Sequence, residues 1–384
     1  MRFIHTSDWH IGRLFHGLHL TEDQAFVLQQ FIDLAKHAKP DVILVAGDVF
    51  DRAVPPPEAV AVVDNVLCEL ALNLRIPVVL IAGNHDSPRR LEFGSRLLAK
   101  QGLHIVGNAA GNITVIPVED DSGIVQIYAI PYAEPPVWRE SLADADIHDH
   151  NTAMHSVLRS LGGIGSNGGR TIALVHAAVL GGEESESERP LSIGGASTVD
   201  AACFQPFTYV AMGHLHRPQA MDGDRIHYPG SLMKYSFAEA DHTKTVHVVE
   251  MDASGKCAVE LVSLKPRYDV RCIKGMMDEI LKGPQDGQNK DDYVHVMLDD
   301  TGPILDPIGK IRQVYRNVLA VERAILSVEH HGSGERMDHR KVSEKELFTA
   351  FFCEVTGAAV TEAEIGAFSS VVGQMHQDER EAAL

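Results

Sequence analysis

Residues 78–86 read VVLIAGNHD, and the fold is decided there. Val78 to Ala82 is a short, β-branched apolar run behind Pro77, the pattern of a strand buried on both faces. Gly83 breaks the run, and Asn84, His85 and Asp86 follow at its carboxyl end. An amide oxygen, an imidazole and a carboxylate gathered at one strand end are costly in a packed core unless something charged is bound beside them. The expectation is a metal ligand in Asn84 and a proton carrier in His85. Asp86 is expected to orient His85 or to stabilise the turn.

The same plan recurs on both sides of this stretch. RFIHT at 2–6 runs into SDWH, and Asp8 and His10, two apart, point the same way in an extended chain. Thr21 to Ala38 has helical apolar spacing, with Thr21 and Gln24 in capping-box positions. VILVAGDVFD at 42–51 is a second buried strand, closed by Gly47 and Asp48, with Asp51 three further on. A proline loop at 55–57 and a helix from Glu58 to Leu72 lead back to residue 78. Strands alternating with helices predict a mainly parallel sheet covered by helices. Ligands bind such sheets beyond the carboxyl ends of the strands.

Farther along, Leu91 to Lys100 predicts a helix, and 104–106, 113–118 and 124–129 predict a second sheet built from hairpins. Leu142 to Leu161 is helical in part. TIALVHA at 171–177 carries His176 at a strand end, and YVAMGHLH at 209–216 carries His214 and His216. Between them, GGEESESERPLS at 181–192 reads as a polar loop with too little apolar content to pack. From Pro266 the character shifts toward a small β-α-β module. The expected domains are 1–265, 268–328 and 329–384, the last a polar linker with His330 and His331 followed by two helices. Ser343 with Glu346, and Thr361 with Glu364, are the expected helix starts. The polar linker in front favours partner binding for this helical pair.

With 384 residues, 45% hydrophobic and 23% charged, the chain has the composition of a globular protein of two or three domains. No apolar run approaches the ~18 residues of a membrane span, and the first residues lack a signal-peptide plan, so a cytoplasmic location is expected. Five scattered cysteines without a CxxC pair argue against a disulfide framework or a zinc–thiolate site. The net charge of −19 argues against a basic nucleic-acid surface. Two things soften that argument: carboxylates that hold cations are neutralised in the loaded site, and another protein in a complex can supply basic surface.

Asp8, His10, Asp48, Asn84, His176, His214 and His216 thus gather at strand ends, with His85 beside them. Mixed nitrogen and oxygen donors without sulfur suit manganese, iron, zinc or a comparable divalent ion, here in two adjacent positions. Two ions about 3.5–4 Å apart need a bridging carboxylate, and Asp48 on the central strand is the best candidate. Such a pair polarises a phosphorus centre and brings a bound water's pKa close to neutrality, the chemistry of phosphoester hydrolysis. His85 is then free to act as general acid for the leaving oxygen.

DxH at 8–10, GDxxD at 47–51, GNHD at 83–86, the lone His176 and GHxH at 213–216, in that order, resemble the calcineurin-like metallophosphoesterase superfamily. The resemblance implies an α/β, four-layer α-β-β-α sandwich with two sheets between helices. It also implies that Asp8, His10 and His216 hold one ion, Asn84, His176 and His214 the other, with Asp48 between and His85 catalytic. HTSDWHIGR at 5–13, SERPLSIGG at 187–195 and YPGSLMKYSFAE at 228–239 are similar to a narrower family of bacterial nuclease subunits. That likeness implies manganese, double-stranded DNA ends and hairpins as substrates, a homodimer, and an SbcC-type ATPase partner. It further implies a DNA-facing capping domain at 268–328 and a partner-binding tail. GDVFDR at 47–52 leaves a phosphomonoesterase or protein phosphatase as the alternative, although that pattern wants Gly where Ala53 stands. An inactive DNA-end scaffold is a third reading, against which the intact donor set speaks.

Overall fold

The structure, a computed structural model, describes residues 1–109, 113–164, 169–191, 197–285, 287–300, 302, 304–323, 344–356 and 358–382. The chain first lays down β1 (Arg2–Thr6), β2 (Val42–Val45), β3 (Val78–Ile81) and β4 (Leu103–Val106), all parallel. α1 (Thr21–Ala38) and α2 (Pro57–Cys68) make the crossovers. A second sheet follows, from β5 (Thr114–Asp120), β6 (Gly123–Ile130), β7 (Arg170–His176), β8 (Tyr209–Gly213), β9 (Gln219–Met221) and β10 (Ile226–Tyr228). α3 (Pro135–Leu142) and α4 (His150–Leu161) lie between β6 and β7 in the chain. β11 (Thr245–Met251) and β12 (Cys257–Ser263) then return to the first sheet, β11 antiparallel to β1. The two orders are β12-β11-β1-β2-β3-β4 and β9-β10-β8-β7-β6-β5.

Period-two alternation explains the layering. In β2, Val42 and Leu44 pack between the sheets, while Ile43 and Val45 pack under α1 and α2. In β7, Ile172 and Leu174 face inward, while Ala173 and Val175 pack under α3 and α4. Each central strand is therefore apolar on both faces, and the four-layer α-β-β-α sandwich follows.

Three local expectations are corrected. Residues 103–106 do not join the second sheet; Gly102, at φ +82°, turns them back alongside β3. Only β5 and β6 form the expected hairpin there. Residues 91–100 are not one helix, because Gly94 at φ +76° separates Pro88–Leu91 from Ser95–Leu98. The capping box at Thr21 does not form either: no side chain caps α1, and Gln24 is buried with its amide turned inward.

β13 (Val270–Gly275), β14 (Tyr293–Leu298) and β15 (Asn317–Arg323) make a separate parallel sheet over its own apolar cluster of Met277, Ile280, Val296, Leu298 and Ile311. It is fastened to the sandwich by the Tyr293 hydroxyl, which donates to Asp23 (2.5 Å), and by the Lys234–Asp269 ion pair (2.9 Å). α5 (Glu344–Thr356) and α6 (Glu362–Ala382) close the chain, with Phe348 stacked on Phe368 at 4.2 Å. Thr361 and Glu364 exchange the two hydrogen bonds of a capping box ahead of α6. The expected linker with His330 and His331, and the cap at Ser343, lie outside the described residues. No helix among the described residues is long and apolar enough to cross a membrane.

Candidate metal centre

β1, β2, β3, β7 and β8 end at one place, and the loops leaving them are zipped together. Asp8 N donates to Gly47 O (3.1 Å) and His10 N to Asp48 O (2.9 Å). Approach this close requires glycine: a Cβ at Gly83 would lie 2.2 Å from Asp48 Oδ1, and one at Gly213 would lie 1.8 Å from Ala46 O. Asp8 (φ 51°), His10 (φ 45°), Asp48 (φ 50°) and His214 (φ 105°) all have left-handed backbone. Such conformations cost about 1–3 kcal/mol each and persist only where the surroundings impose them. Asp8 and His10 therefore converge through two backbone kinks, not through the extended alternation expected of DxH.

The donor atoms fall into two adjoining groups. His10 Nε2 lies 3.1 Å from His216 Nε2. Asn84 Oδ1 lies 2.8 Å from His176 Nε2 and 3.3 Å from His214 Nδ1. Asp48 Oδ2 sits between the groups, 3.5 Å from His10 Nε2 and 3.6 Å from His176 Nε2. Both oxygens of Asp8 accept the His214 N–H, and Asp8 offers an oxygen within 4.8 Å of donors from both groups. Two ligands about 2.1 Å from a shared ion, set at right angles, are about 3.0 Å apart. The spacings within each group match that distance.

The charge balance also calls for cations. Burial pushes the Asp8 carboxyl well up, with Asp48 adding to it, and raises Asp48 to about 6. Burial holds His10 and His214 well below the usual imidazole value, and His176 and His216 near about 4. The imidazoles are thus neutral and offer lone pairs. His176 donates its Nδ1 proton to Ala46 O (2.8 Å), which turns its Nε2 lone pair toward Asn84 and Asp48. His10 Nδ1 is buried without a hydrogen-bond partner among the described residues. Neutral nitrogens facing one another beside carboxylates that resist ionising fit a pair of divalent ions.

His85 is only partly buried. Its backbone N donates to Asp48 Oδ1 (2.8 Å), and its Nδ1 bonds to Asp51 O (2.8 Å). The ring stands edge-on to His10, 4.6 Å between centroids. Among the described residues the Asp86 carboxylate makes no hydrogen bond to the His85 ring. Instead the Asp86 carboxylate, buried, accepts from Gly83 N (2.9 Å), Val49 N (3.1 Å) and Phe50 N (2.9 Å), locking two loops together. The Asp51 side chain holds Arg13 (3.1 Å), and Arg89 and Arg90 are exposed.

Sequence reasoning missed the residues behind the donors. Gln24 donates to His10 O (2.7 Å) and accepts from Gly12 N (3.0 Å), propping the DxH loop from α1. Its signal was a polar residue in line with Val27, Leu28 and Phe31 on the buried face. Ser187, Glu188, Glu239 and Lys244 gather behind His216, so the 181–192 loop does pack in part, against expectation: Ser187 and Leu191 are buried, while residue 192 lies outside the described residues. No local pattern announces that contact.

Residues 1–218 match the calcineurin-like phosphoesterase family, and 266–356 match the type 5 capsule protein repressor C-terminal domain. The chain is 31% identical to the SbcD component of nuclease SbcCD from Staphylococcus epidermidis, over 93% of this chain and 94% of that protein. With the protein of the same name from Staphylococcus saprophyticus it shares 32% identity, over 94% and 95%. The chain belongs to the SbcD family of calcineurin-like phosphoesterases. An SbcD-family chain is a metal-dependent phosphodiester hydrolase, and all the strand-end donors lie within the phosphoesterase match. The second match takes in β13 to β15 and sets the SbcD reading above the phosphomonoesterase and protein phosphatase alternative. Among solved structures, a dimetal phosphatase from Danio rerio overlays with a TM-score of 0.42 at 12% identity, over 69% of this chain and 99% of that one.

Proposed function

We propose that this chain is the nuclease component of an SbcC-type complex, cleaving double-stranded DNA ends and hairpins in DNA repair and recombination. Asp8, His10 and His216 would hold one ion, Asn84, His176 and His214 the other, with Asp48 bridging and manganese the native metal. The observation that carries this reading is the place of Asp48 Oδ2, 3.5 and 3.6 Å from one imidazole of each group. When bound, the ions supply electrophilic pull on the phosphodiester and an activated water.

The protein's own part is orientation and proton movement. The left-handed kinks at Asp8, His10 and Asp48 aim their donors at one spot. His85 keeps Nδ1 bonded to the Asp51 carbonyl, which fixes the ring and leaves Nε2 to pass a proton to the leaving oxygen. Residues 1–265 form the catalytic part of this reading, 268–328 a DNA-facing cap and 329–384 the segment that meets the ATPase. The exposure of Phe351, Val355 and Val371 on the tail helices supports that last role. A homodimer in the cytoplasm completes the proposal.

The test is purified protein with manganese(II), with and without the ATPase, on hairpin and linear duplex DNA, beside a small phosphomonoester. DNA cleavage is expected; activity on the monoester alone would refute the nuclease. The His85→Ala variant should lose about 10²–10⁴-fold in turnover while its manganese binding by calorimetry stays at the wild-type level. Loss of metal binding instead would assign His85 a ligand's role.

A further inference from the structure

His216 is gripped from behind by a set of hydrogen-bonded side chains. Its Nδ1 lies 2.5 Å from Ser187 Oγ, and Ser187 Oγ lies 2.5 Å from Glu239 Oε1. Glu239 is wholly buried and its other oxygen pairs with Lys244, itself 5% exposed. Lys244 spends its remaining protons on His216 O (2.8 Å) and Ser231 Oγ (2.9 Å). Glu188 Oε1 accepts the His216 backbone N–H (2.5 Å), and Arg13 donates to Ser187 O (3.1 Å).

Counting protons fixes the direction of this chain of bonds. A carboxylate paired with an ammonium only accepts, so the single Ser187 hydroxyl proton points to Glu239. The Ser187 lone pair must then accept from His216, which places a proton on Nδ1 and leaves Nε2 with its lone pair facing His10. Ligand histidines almost always donate their outer N–H in this way, which makes the inner nitrogen more basic, although His10 Nδ1 finds no such partner among the described residues. His176 uses a backbone carbonyl for the purpose, whereas His216 depends on a side-chain relay that starts in the 181–192 loop.

We infer that Ser187, Glu239 and Lys244 are positioning residues that set the tautomer of His216 and so control occupancy of one ion position only, the one shared with Asp8 and His10. The inference rests on the two-ion reading above. It makes Ser187, whose hydroxyl hydrogen bonds among the described residues go to His216 and Glu239, a determinant of whether the pair is complete.

The test is calorimetric titration of metal-free protein with manganese(II) chloride, together with the electron paramagnetic resonance of the loaded samples. Wild type is expected to take up two ions and show a spin-coupled pair. Ser187→Ala should bind one ion as before and the second about 10–100-fold more weakly, leaving a mononuclear manganese signal at intermediate loading. Ser187→Thr, which restores the hydroxyl, should recover the coupled pair, and its isosteric partner Ser187→Val should not. Thermal melts of the metal-free variants check the fold, and if the alanine variant does not fold, the threonine–valine comparison decides. Two unchanged affinities in both hydroxyl-free variants overturn the relay, as does an equal loss at both positions. A wild-type protein that binds a single ion overturns the two-ion reading and the relay with it.

Discussion

Asp86 shows how a residue beside the proposed general acid, His85, can act on the scaffold alone. Its carboxylate holds three backbone N–H groups, from Gly83, Val49 and Phe50, and so ties the loop of Asp48 to the loop of Asn84. Removing it strands those groups in a buried site, where an unpaired donor costs about 1–3 kcal/mol. Asp86→Ala is therefore expected to lower stability by about 3 kcal/mol or more in urea unfolding and to weaken manganese binding. A loss below about 1 kcal/mol would mean that the loops hold without it. GNHD was legible as a functional cluster because its members are adjacent. The division of labour within it was not, since His85 finds its partner at Asp51 and Asp86 finds its partners at 49, 50 and 83.

Among the elements, β1 and β11 bring a buried histidine cluster between the sheets that the metal site does not use. His5 and His247 are cross-strand partners with ring centroids 5.7 Å apart. His5 bonds Tyr209 and Met212 O (both 3.1 Å), and His227 stacks on Tyr209 at 4.8 Å. Among the described residues His247 has no partner at either ring nitrogen, and burial depresses it to about 3. Burial also lowers His5 and His227. A histidine kept neutral in the fold leaves stability intact above its unfolded value of about 6.5. As pH falls from there toward the folded value, the unfolded chain takes up the proton and stability drops, by about 2 kcal/mol per group at pH 5. Urea unfolding of metal-free protein should show this drop between pH 7 and 5, and His247→Phe should shrink it by up to that amount. An identical drop in the variant would remove His247 from the account. At this scale the sequence misled at β4, where shortness and flanking glycines suggested a hairpin. The pairing was settled instead by the open edge of β3, which residues 103–106 cover.

For the whole molecule, the charge of −19 and the DNA substrate proposed for it pull in opposite directions. The donor carboxylates explain only Asp8 and Asp48 of that excess. Exposed Arg89 and Arg90 offer two phosphate contacts at most, too few for tight binding at physiological salt. The chain alone is expected to bind duplex DNA weakly at about 0.15 M salt and the assembled complex tightly, as measured by fluorescence anisotropy. Tight binding by the chain alone would show that it carries its own phosphate-contacting surface.

The sequence by itself determined the strands and the donor residues at their ends, because both follow from local patterns: apolar runs, a glycine break, then a polar pair. It also carried the family motifs in their order. Only the tertiary structure decided which candidate donors come together, which nitrogen of His176 and His216 faces inward, and that Gln24, Ser187 and Glu239 stand behind them. Those facts depend on groups such as Ala46 and His176, or Ser187 and Glu239, that meet only when the two sheets stack and their loops fold over. No pattern along the chain encodes such a distance, since it is set by the packing of whole layers.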